Sequence, residues 1–222
     1  MEVININTWE RKEAFELFSR KDYPFYSVTV PIDVTNVKAV SKSRELSFYY
    51  LMVWLCTKAV NSVEQFRIRI RGDEVVRLDR TEPSFTDMKK GAGQFYIVTT
   101  SWEEDFAAFC KKAKKKSEEQ KSFIDMCSET DGLIYFSCTP WFDFTALTNE
   151  RDFDRDDTIP RLAWGRYFED GGRLRLHLSI EVNHCTIDGV HIGQLVAAIE
   201  SEIAALSKQG HARPLSTEGM MG

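Results

Sequence analysis

The sequence predicts an α/β fold, in which strands and helices alternate along one chain. From Arg173 to Val182 every even position is leucine, isoleucine or valine, and every odd position is polar. A period of two is typical of a strand with one buried face. After the turn pair Asp188-Gly189, apolar residues recur at helical spacing from Ile192 to Leu206, which predicts an amphipathic helix. Strands interleaved with helices indicate mixed α/β architecture.

The same reasoning, applied from the N-terminus, places the remaining elements. Helices are predicted where apolar residues recur every three or four positions. They cover Glu10 to Phe18, Tyr49 to Val63, Trp102 to Lys121 and Val190 to Leu206. Strands are predicted in short runs rich in β-branched and aromatic residues. They cover Tyr26 to Ile32, Phe66 to Ile70, Val75 to Leu78, Gln94 to Thr100 and Leu133 to Cys138. The charged stretch from Arg151 to Asp157 is expected to be an exposed loop.

Length and composition indicate a single globular domain. A chain of 222 residues with 43% hydrophobic and 12% aromatic content can bury a substantial core as one unit. We expect this domain to cover residues 1–209. Residues 210–222 show no periodicity and are predicted to be a disordered tail.

Charge and hydropathy exclude several classes of partner. The net charge of -5 lacks the surplus of Lys and Arg that a general nucleic-acid binder needs. No apolar run is long enough to span a bilayer, and the first residues lack the basic start and apolar stretch of a secretion signal. We therefore expect a cytoplasmic protein that binds neither nucleic acid nor membrane.

The five cysteines are scattered, odd in number and form no Cys-x-x-Cys pair. We expect neither a disulfide framework nor a metal site. Cys185 adjoins His184, but adjacent side chains on an extended chain point to opposite faces, which disfavours a Cys/His nucleophile pair. Cys185 is interpreted as a packing residue.

His184, between the predicted strand and the following helix, is the candidate for chemistry. Buried layers on both sides would hold it rigidly. An imidazole titrates near neutral pH and can take a proton from an alcohol or a thiol, so a rigidly held one is a natural general base. A histidine at a strand end is also commonly a hydrogen-bonded structural residue, and its position alone leaves both interpretations open.

The pattern His-x-x-x-Asp-Gly from His184 to Gly189 resembles the active-site signature of the chloramphenicol acetyltransferases and of the dihydrolipoamide acyltransferase catalytic domains. Other segments resemble the first family in the same order. They are Trp9 to Phe15, Ser47 to Tyr50, Ala59 to Asn61, Phe66 to Ile68, Gly72 to Val76, Pro83 to Thr86 and Ser137 to Trp141. On these motifs the chain is identified as a member of the chloramphenicol acetyltransferase family from Trp9 to Leu206. The resemblance implies a two-layer fold, a mixed sheet packed with helices.

The resemblance also implies roles in acyl transfer from a thioester to a hydroxyl. His184 matches the general base, and Ser137 matches a serine that donates a hydrogen bond to the oxyanion. Asp188 matches an aspartate that forms a structural ion pair with an arginine, here Arg11. The alternative is a Ser-His-Asp triad with Ser137 as nucleophile. The family pattern favours direct transfer through a ternary complex without an acyl-enzyme.

Acetyl-CoA is the implied donor. Arg166 and Tyr167 match a family strand that borders the coenzyme channel, where a cation and an aromatic ring could meet phosphate and adenine. An ordinary strand with a surface arginine is the alternative. The acceptor pocket of the family is apolar and aromatic, and five residues could line it or belong to the core. They are Phe18, Phe25, Tyr26, Phe95 and Phe144.

Three positions depart from the family pattern. Asn183 stands where a second histidine is usual, Ala163 replaces a threonine that helps to hold a water, and Phe18 replaces a tyrosine at the acceptor pocket. These departures bear on which acceptor the protein uses more than on the type of reaction.

The resemblance implies a homotrimer with active sites at subunit boundaries. Three functions follow: O-acetyl transfer to chloramphenicol, acyl transfer to another small alcohol or thiol, or a catalytically silent trimeric binding protein. Retention of both His184 and Ser137 counts against the third.

Overall fold

The computed structural model describes residues 1–89, 91–152 and 154–210, so the predicted tail beyond residue 210 lies outside the described residues. In the described ranges the main sheet has seven strands. They are β2 (Phe25–Asp33), β5 (Glu82–Asp87), β6 (Tyr96–Thr99), β7 (Leu133–Thr139), β8 (Arg161–Gly165), β9 (Phe168–Asp170) and β10 (Arg173–Asn183). A smaller sheet contains β1 (Glu2–Val3), β3 (Ile68–Arg71) and β4 (Glu74–Arg77).

The helices are α1 (Lys12–Phe18), α2 (Thr35–Ser43), α3 (Phe48–Ser62), α4 (Phe106–Glu119) and α5 (Gly189–Gly210). Short 3-10 helices lie at Ile6–Thr8, Glu64–Arg67 and Met126–Ser128. Within the described ranges, no helix is both long enough and apolar enough to cross a membrane.

The main sheet is mixed. Its strand order is β2-β10-β8-β7-β5-β6, and β9 pairs with β10 outside that path. The pairs β5 with β7 and β7 with β8 are parallel, whereas β10 runs antiparallel to both of its long neighbours. A mixed sheet packed with helices confirms the predicted fold class.

Helix α3 occupies the centre of the core. It is apolar around most of its circumference, which is typical of a helix buried on all sides. Ser47 caps its N-terminus by accepting a hydrogen bond from the backbone N–H of Tyr50. The helices α2, α4 and α5 pack against α3, and apolar residues from alternate positions of the strands face the helices.

The remaining strand positions, whose side chains point away from the helices, form the opposite side of the sheet, which we call the polar face. It carries Ser84, Thr86, Ser137, Ser179 and Glu181. We expected the polar side of β10 to be solvated, and this is wrong for its second half, since Ser179 and Glu181 are each 1% exposed.

The segment between β7 and β8 covers this part of the polar face. Ser179 Oγ donates to the Leu147 carbonyl, and Glu181 accepts from Asn149. The prediction that Arg151 to Asp157 is an exposed loop is wrong at its ends, because the side chains of Arg151 and Asp157 are only 2% and 18% exposed.

Candidate functional site

His184 lies in a tight turn that follows the last residue of β10. Its backbone N–H donates to the Pro24 carbonyl over 2.7 Å, just before β2 begins. The Asn183 carbonyl accepts from the N–H groups of Thr186 and Ile187 at 3.2 and 3.1 Å and closes the turn. The turn then leads directly into α5, so the histidine is held between the sheet edge and a helix.

The orientation of the imidazole is set by one backbone contact. His184 Nδ1 lies 3.0 Å from the Ile187 carbonyl oxygen. A carbonyl can only accept, so Nδ1 carries the proton and Nε2 presents a lone pair. Nε2 makes no hydrogen bond within residues 1–89, 91–152 and 154–210. This arrangement is the one that a general base needs.

Two aromatic rings contact this imidazole. The Phe18 ring stacks on it with centroids 3.8 Å apart and an interplanar angle of 15°. The Tyr26 ring is tilted by 41° at 4.5 Å. Burial, together with the Asp188 charge, raises the pKa of Tyr26 to about 12, although Arg11 opposes the shift. The Tyr26 phenol therefore stays neutral beside the histidine at physiological pH.

Arg11 and Asp188 form a salt bridge beneath the turn. The Arg11 side chain is 8% exposed and that of Asp188 is 33% exposed. Arg11 Nη2 also donates to the His184 carbonyl over 3.4 Å. Burial would raise the pKa of the Asp188 carboxyl, but the hydrogen bond and charge of Arg11 lower it below its usual value.

This salt bridge bears on the possible Ser-His-Asp triad. The position on the imidazole that a triad aspartate would occupy is taken by the Ile187 carbonyl. Asp188 instead contacts Arg11 and His191. The geometry favours a supporting role for Asp188, which stays a prediction.

Sequence reasoning missed a second set of contacts that holds the His184 turn. Asn183, only 1% exposed, donates through Nδ2 to the Arg155 and Asp157 carbonyls at 2.8 and 3.1 Å. Its Oδ1 accepts from the Cys185 N–H at 2.9 Å. An amide at this departure from the family pattern thus ties the turn to the covering segment.

Next to Asn183, a buried network of charges joins the end of β10 to the segment between β7 and β8. Glu181 accepts from Arg151 Nε over 2.5 Å, and Arg151 also binds Asp157 over 2.5 Å. Arg161 reaches Asp157 over 3.0 Å. Burial would raise the pKa of Glu181, but hydrogen bonds from Arg151 and Asn149 and the Arg151 charge lower it below its usual range. The network keeps the end of β10 and its covering segment together.

Ser137 lies elsewhere on the sheet. It is level with Ala163 and Ser179 across the strands, and His184 follows Ser179 by five residues. With about 3.3 Å per residue along a strand and about 4.8 Å between strands, the Cα atoms of Ser137 and His184 in one chain are roughly 19 Å apart. One chain therefore does not bring the predicted base and the predicted oxyanion donor together.

Arg166 and Tyr167 follow β8 at the end of the sheet nearer to Ser137. Arg166 is exposed, and the Tyr167 ring packs against Phe48 with centroids 5.4 Å apart. Lys38 Nζ lies 5.1 Å from the Tyr167 centroid and 6.0 Å from that of Phe48. A cation beside two aromatic rings, with the exposed Arg166 next in the chain, fits a ligand with phosphates and an adenine.

Lys38 and Phe48 were not among the predicted site residues. Lys38 belongs to α2, a helix that the sequence patterns did not predict. Only the packing of α2 beside Tyr167 identifies Lys38 as a candidate ligand for a coenzyme.

The five predicted pocket residues divide between the two ends of the sheet. Phe18 and Tyr26 contact His184, and Phe25 lies beneath the Arg151 guanidinium at 4.1 Å. Phe95, by contrast, precedes β6 and packs on Phe123 with centroids 5.3 Å apart. Phe144 approaches Gly165 at the end of β8 so closely that a Cβ on this glycine would lie 3.2 Å from the phenylalanine ring.

Beside Tyr26 a groove of about 490 Å³ opens along the edge strand β2. Its walls come from β2 and from the covering segment, and four of its lining residues are Tyr23, Phe25, Leu147 and Thr148. The groove has room for a small alcohol, and Tyr26, which lines it, also contacts the His184 ring. In the described residues, no cluster of three or more His, Cys, Asp or Glu side chains is arranged to hold a metal ion.

Comparisons with known proteins identify the family to which the chain belongs. A model of the chloramphenicol acetyltransferase family matches residues 1–200. The chain is 26% identical over 200 residues to chloramphenicol acetyltransferase 3 of Escherichia coli, with 88% of this chain and 93% of that relative covered. It is 27% identical over 189 residues to a chloramphenicol acetyltransferase of Bacillus pumilus, with 84% and 86% covered.

Solved structures extend the comparison to the fold. A chloramphenicol acetyltransferase structure aligns with a TM-score of 0.84 at 26% identity, over 91% of this chain and 100% of that one. A probable dihydrolipoamide acetyltransferase of Listeria monocytogenes shares the fold alone, with a TM-score of 0.63 at 15% identity over 94% and 96% of the two chains. The match of the family model from residue 1 to residue 200 shows that the chain belongs to the chloramphenicol acetyltransferase family.

Proposed function

We propose that this protein is an O-acetyltransferase that moves the acetyl group of acetyl-CoA to a hydroxyl of chloramphenicol. Its relatives are named chloramphenicol acetyltransferases. The observation that carries the proposal is the imidazole of His184. Its Nδ1 is committed to the Ile187 carbonyl, which leaves Nε2 as a fixed base.

Two residues of the chain perform the chemical steps. His184 Nε2 takes the proton from the acceptor hydroxyl as that oxygen bonds to the thioester carbonyl carbon. Ser137 Oγ donates a hydrogen bond to the resulting oxyanion. When the C–S bond breaks, His184 returns its proton to the leaving thiolate. Transfer is direct, and no acyl group becomes attached to the protein.

Arg11 and Asp188 support the base from outside the reaction. Their salt bridge braces the turn, and Arg11 holds the His184 carbonyl. An imidazole that keeps its orientation needs no rearrangement before it accepts a proton, which is the advantage of preorganisation.

The donor is proposed to bind at Arg166 and Tyr167, together with Lys38 and Phe48. The cations would meet its phosphates, and the aromatic rings would contact its adenine. We also propose a cytoplasmic location, where acetyl-CoA is available.

The separation of His184 and Ser137 supports a homotrimer. Because roughly 19 Å divides them in one chain, a working site must take the base from one copy and the oxyanion donor from its neighbour. In a ring of three copies the same contact repeats three times, and every site is complete.

The test follows thiol release from acetyl-CoA in the presence of chloramphenicol. We expect robust turnover, and we expect His184→Ala to reduce kcat by about 10²- to 10⁴-fold. His177→Ala is the matched control, because His177 contacts Asp143 outside the proposed site and should keep its turnover. Binding of both substrates without thiol release would instead indicate a catalytically silent binding protein.

One observation favours a different acceptor. The ring stacked on His184 belongs to Phe18 and has no hydroxyl with which to bind a polar antibiotic. Acyl transfer to another small alcohol or thiol is therefore the second candidate. A panel of alcohols and thiols in the same assay separates the two, since turnover with members of the panel but not with chloramphenicol would establish the second.

A further inference from the structure

The segment Pro83 to Thr86 has no role in the chemistry above, yet its last residue lies beside Ser137. Phe85 and Phe136 are partners in the parallel pair of β5 and β7, and they are 1% and 2% exposed on the core side. Since side chains alternate along a strand, Thr86 and Ser137 share the polar face. Thr86 Oγ1 lies 3.5 Å from Ser137 Oγ.

From this contact we propose that Thr86 is a positioning residue, which directs the hydroxyl proton of Ser137 toward the oxyanion. The inference rests on the proposed role of Ser137 in acyl transfer. Thr86 itself touches no reacting atom and acts through Ser137.

The direction of the bond follows from the chemistry of the oxyanion. A hydroxyl has one proton to donate and two lone pairs to accept with. In the described part of the chain Ser137 Oγ has no other hydrogen-bond partner, so its proton is available to substrate. An oxyanion can only accept, so once Ser137 donates to it, the contact between the two hydroxyls persists only with Thr86 as the donor.

A hydrogen bond donated by Thr86 to Ser137 strengthens the hydrogen bond that Ser137 donates to the oxyanion. Hydrogen bonds in a chain polarise one another, so a serine that accepts from Thr86 is a better donor to the oxyanion. The distance of 3.5 Å belongs to the free protein. Contacts of this kind are often long in a free site and shorten in the reacting complex.

Thr86 is well held for this task. The Tyr49 hydroxyl donates to the Thr86 carbonyl over 2.6 Å, and the Tyr50 hydroxyl donates to Asp87 over 2.5 Å. Both tyrosines belong to α3, the central helix. A β-branched side chain also has few χ1 choices in a strand, so the Thr86 hydroxyl has a defined position.

The molecule contains a matched control pair. On the same face of the sheet, the Thr99 hydroxyl of β6 donates to the Ser84 hydroxyl of β5 at 2.9 Å. This is again a hydrogen bond from a threonine to a serine. Ser84 lies two positions before Thr86 and does not contact Ser137. A general effect of removing a threonine hydroxyl from this face will therefore appear at Thr99 as well.

The test measures kcat and both KM values for Thr86→Val, which keeps the branched shape and removes the hydroxyl. We expect kcat to fall about fivefold, the scale of one neutral hydrogen bond, with both KM values within about twofold of wild type. Thr86→Ser should keep kcat within about twofold, because it restores the donor. Thr99→Val should keep the wild-type kcat. In a Ser137→Ala background, Thr86→Val should have no further effect.

Two results would overturn the inference. One is a wild-type kcat in Thr86→Val while Ser137→Ala is slow, which leaves the role of Ser137 intact. The other is an equal loss of kcat from Thr86→Val in the wild-type protein and in the Ser137→Ala background. If Ser137→Ala turns over like wild type, the oxyanion role and the inference fail together. If Thr86→Val does not fold, Thr86→Ala in the two backgrounds gives the same comparison.

Discussion

The two ends of the main sheet are built in different ways. Around His184 the chain is tightly braced by a salt bridge from Arg11, two carbonyl contacts from Asn183 and a network of buried charges. Around Ser137 it is open. Among the described residues the serine side chain has one long hydrogen bond, and Trp141 and Phe142, which follow β7, are 62% and 53% exposed.

This difference fits the division of roles in the proposed mechanism. Under the proposed mechanism the base must keep one orientation through proton transfer, which fits surroundings that are complete within one chain. The proposed oxyanion donor would have to meet the coenzyme and the base of another copy, which fits its open surroundings. Large exposed aromatic residues at that end fit a surface that becomes covered on assembly.

The largest expected effect tests whether the two ends come from different chains. His184→Ala and Ser137→Ala are each nearly inactive under the proposed mechanism. Unfolded together and refolded as an equal mixture, they should recover about a quarter of the wild-type sites. About half of the boundaries are then mixed, and only one of the two orientations of a mixed boundary combines an intact histidine with an intact serine. The measurement is thiol release by the mixture compared with each variant refolded alone.

A mixture no more active than its components would show that base and donor act within one chain. The control mixes two preparations of His184→Ala, which cannot complement one another. Light scattering on the same samples reports whether mixed assemblies of the expected size have formed.

The next effect concerns the braced end. Glu181→Gln removes one of the two carboxylates that pair with the buried Arg151 guanidinium and leaves only Asp157, so the free energy of unfolding at neutral pH should fall by about 3 kcal/mol. The folded-state pKa of Glu181 is lowered. The contribution of its carboxylate to the free energy of unfolding is therefore complete above the unfolded-state pKa of about 4.3, and it is lost as the pH falls through the lower folded-state pKa. Urea unfolding of both proteins across this range should show the difference shrinking in acid.

Glu119→Gln is the control for this measurement, since Glu119 forms an exposed pair with Lys115. Exposed pairs of this kind contribute little, and a change below about 0.5 kcal/mol is expected. Equal effects from Glu181→Gln and Glu119→Gln would mean that the buried network does not brace the His184 end.

The smallest effect concerns the open end. Tyr167→Ala and Lys38→Met should each raise the KM for acetyl-CoA about tenfold, because an aromatic or cationic contact to the coenzyme is lost. The KM for chloramphenicol should stay within about twofold. Lys114→Met, an exposed lysine on α4, is the matched control. An increase in the KM for chloramphenicol instead would move these residues to the acceptor side.

Much of the fold could be predicted because local patterns were strong. The alternation from Arg173 to Val182 corresponds to β10, and the helical spacing after Gly189 corresponds to α5. Helix α2 was missed because its nine residues include β-branched valines and a threonine, which are poor helix formers. Its packing against α3 and α5 overrides that propensity.

The site could be predicted in part. Motifs point to His184 and Ser137 as candidates, whereas the contacts of Lys38 and of Asn183 could not be predicted, because they involve residues far away in the chain. The buried state of Glu181 was also hidden. A glutamate at a polar position of an alternating strand is expected to face water. Glu181 is buried because the covering segment supplies Arg151, which neutralises its charge.

By itself, the sequence determined the strand, the turn and the helix that hold His184, because periodicity and turn chemistry act between neighbouring residues. Only the tertiary structure decided that Ser137 lies at the other end of the sheet and that charges near His184 are buried. Strand order and register join residues that are distant in the chain, and burial depends on which segment covers a surface. Both are properties of the packed molecule.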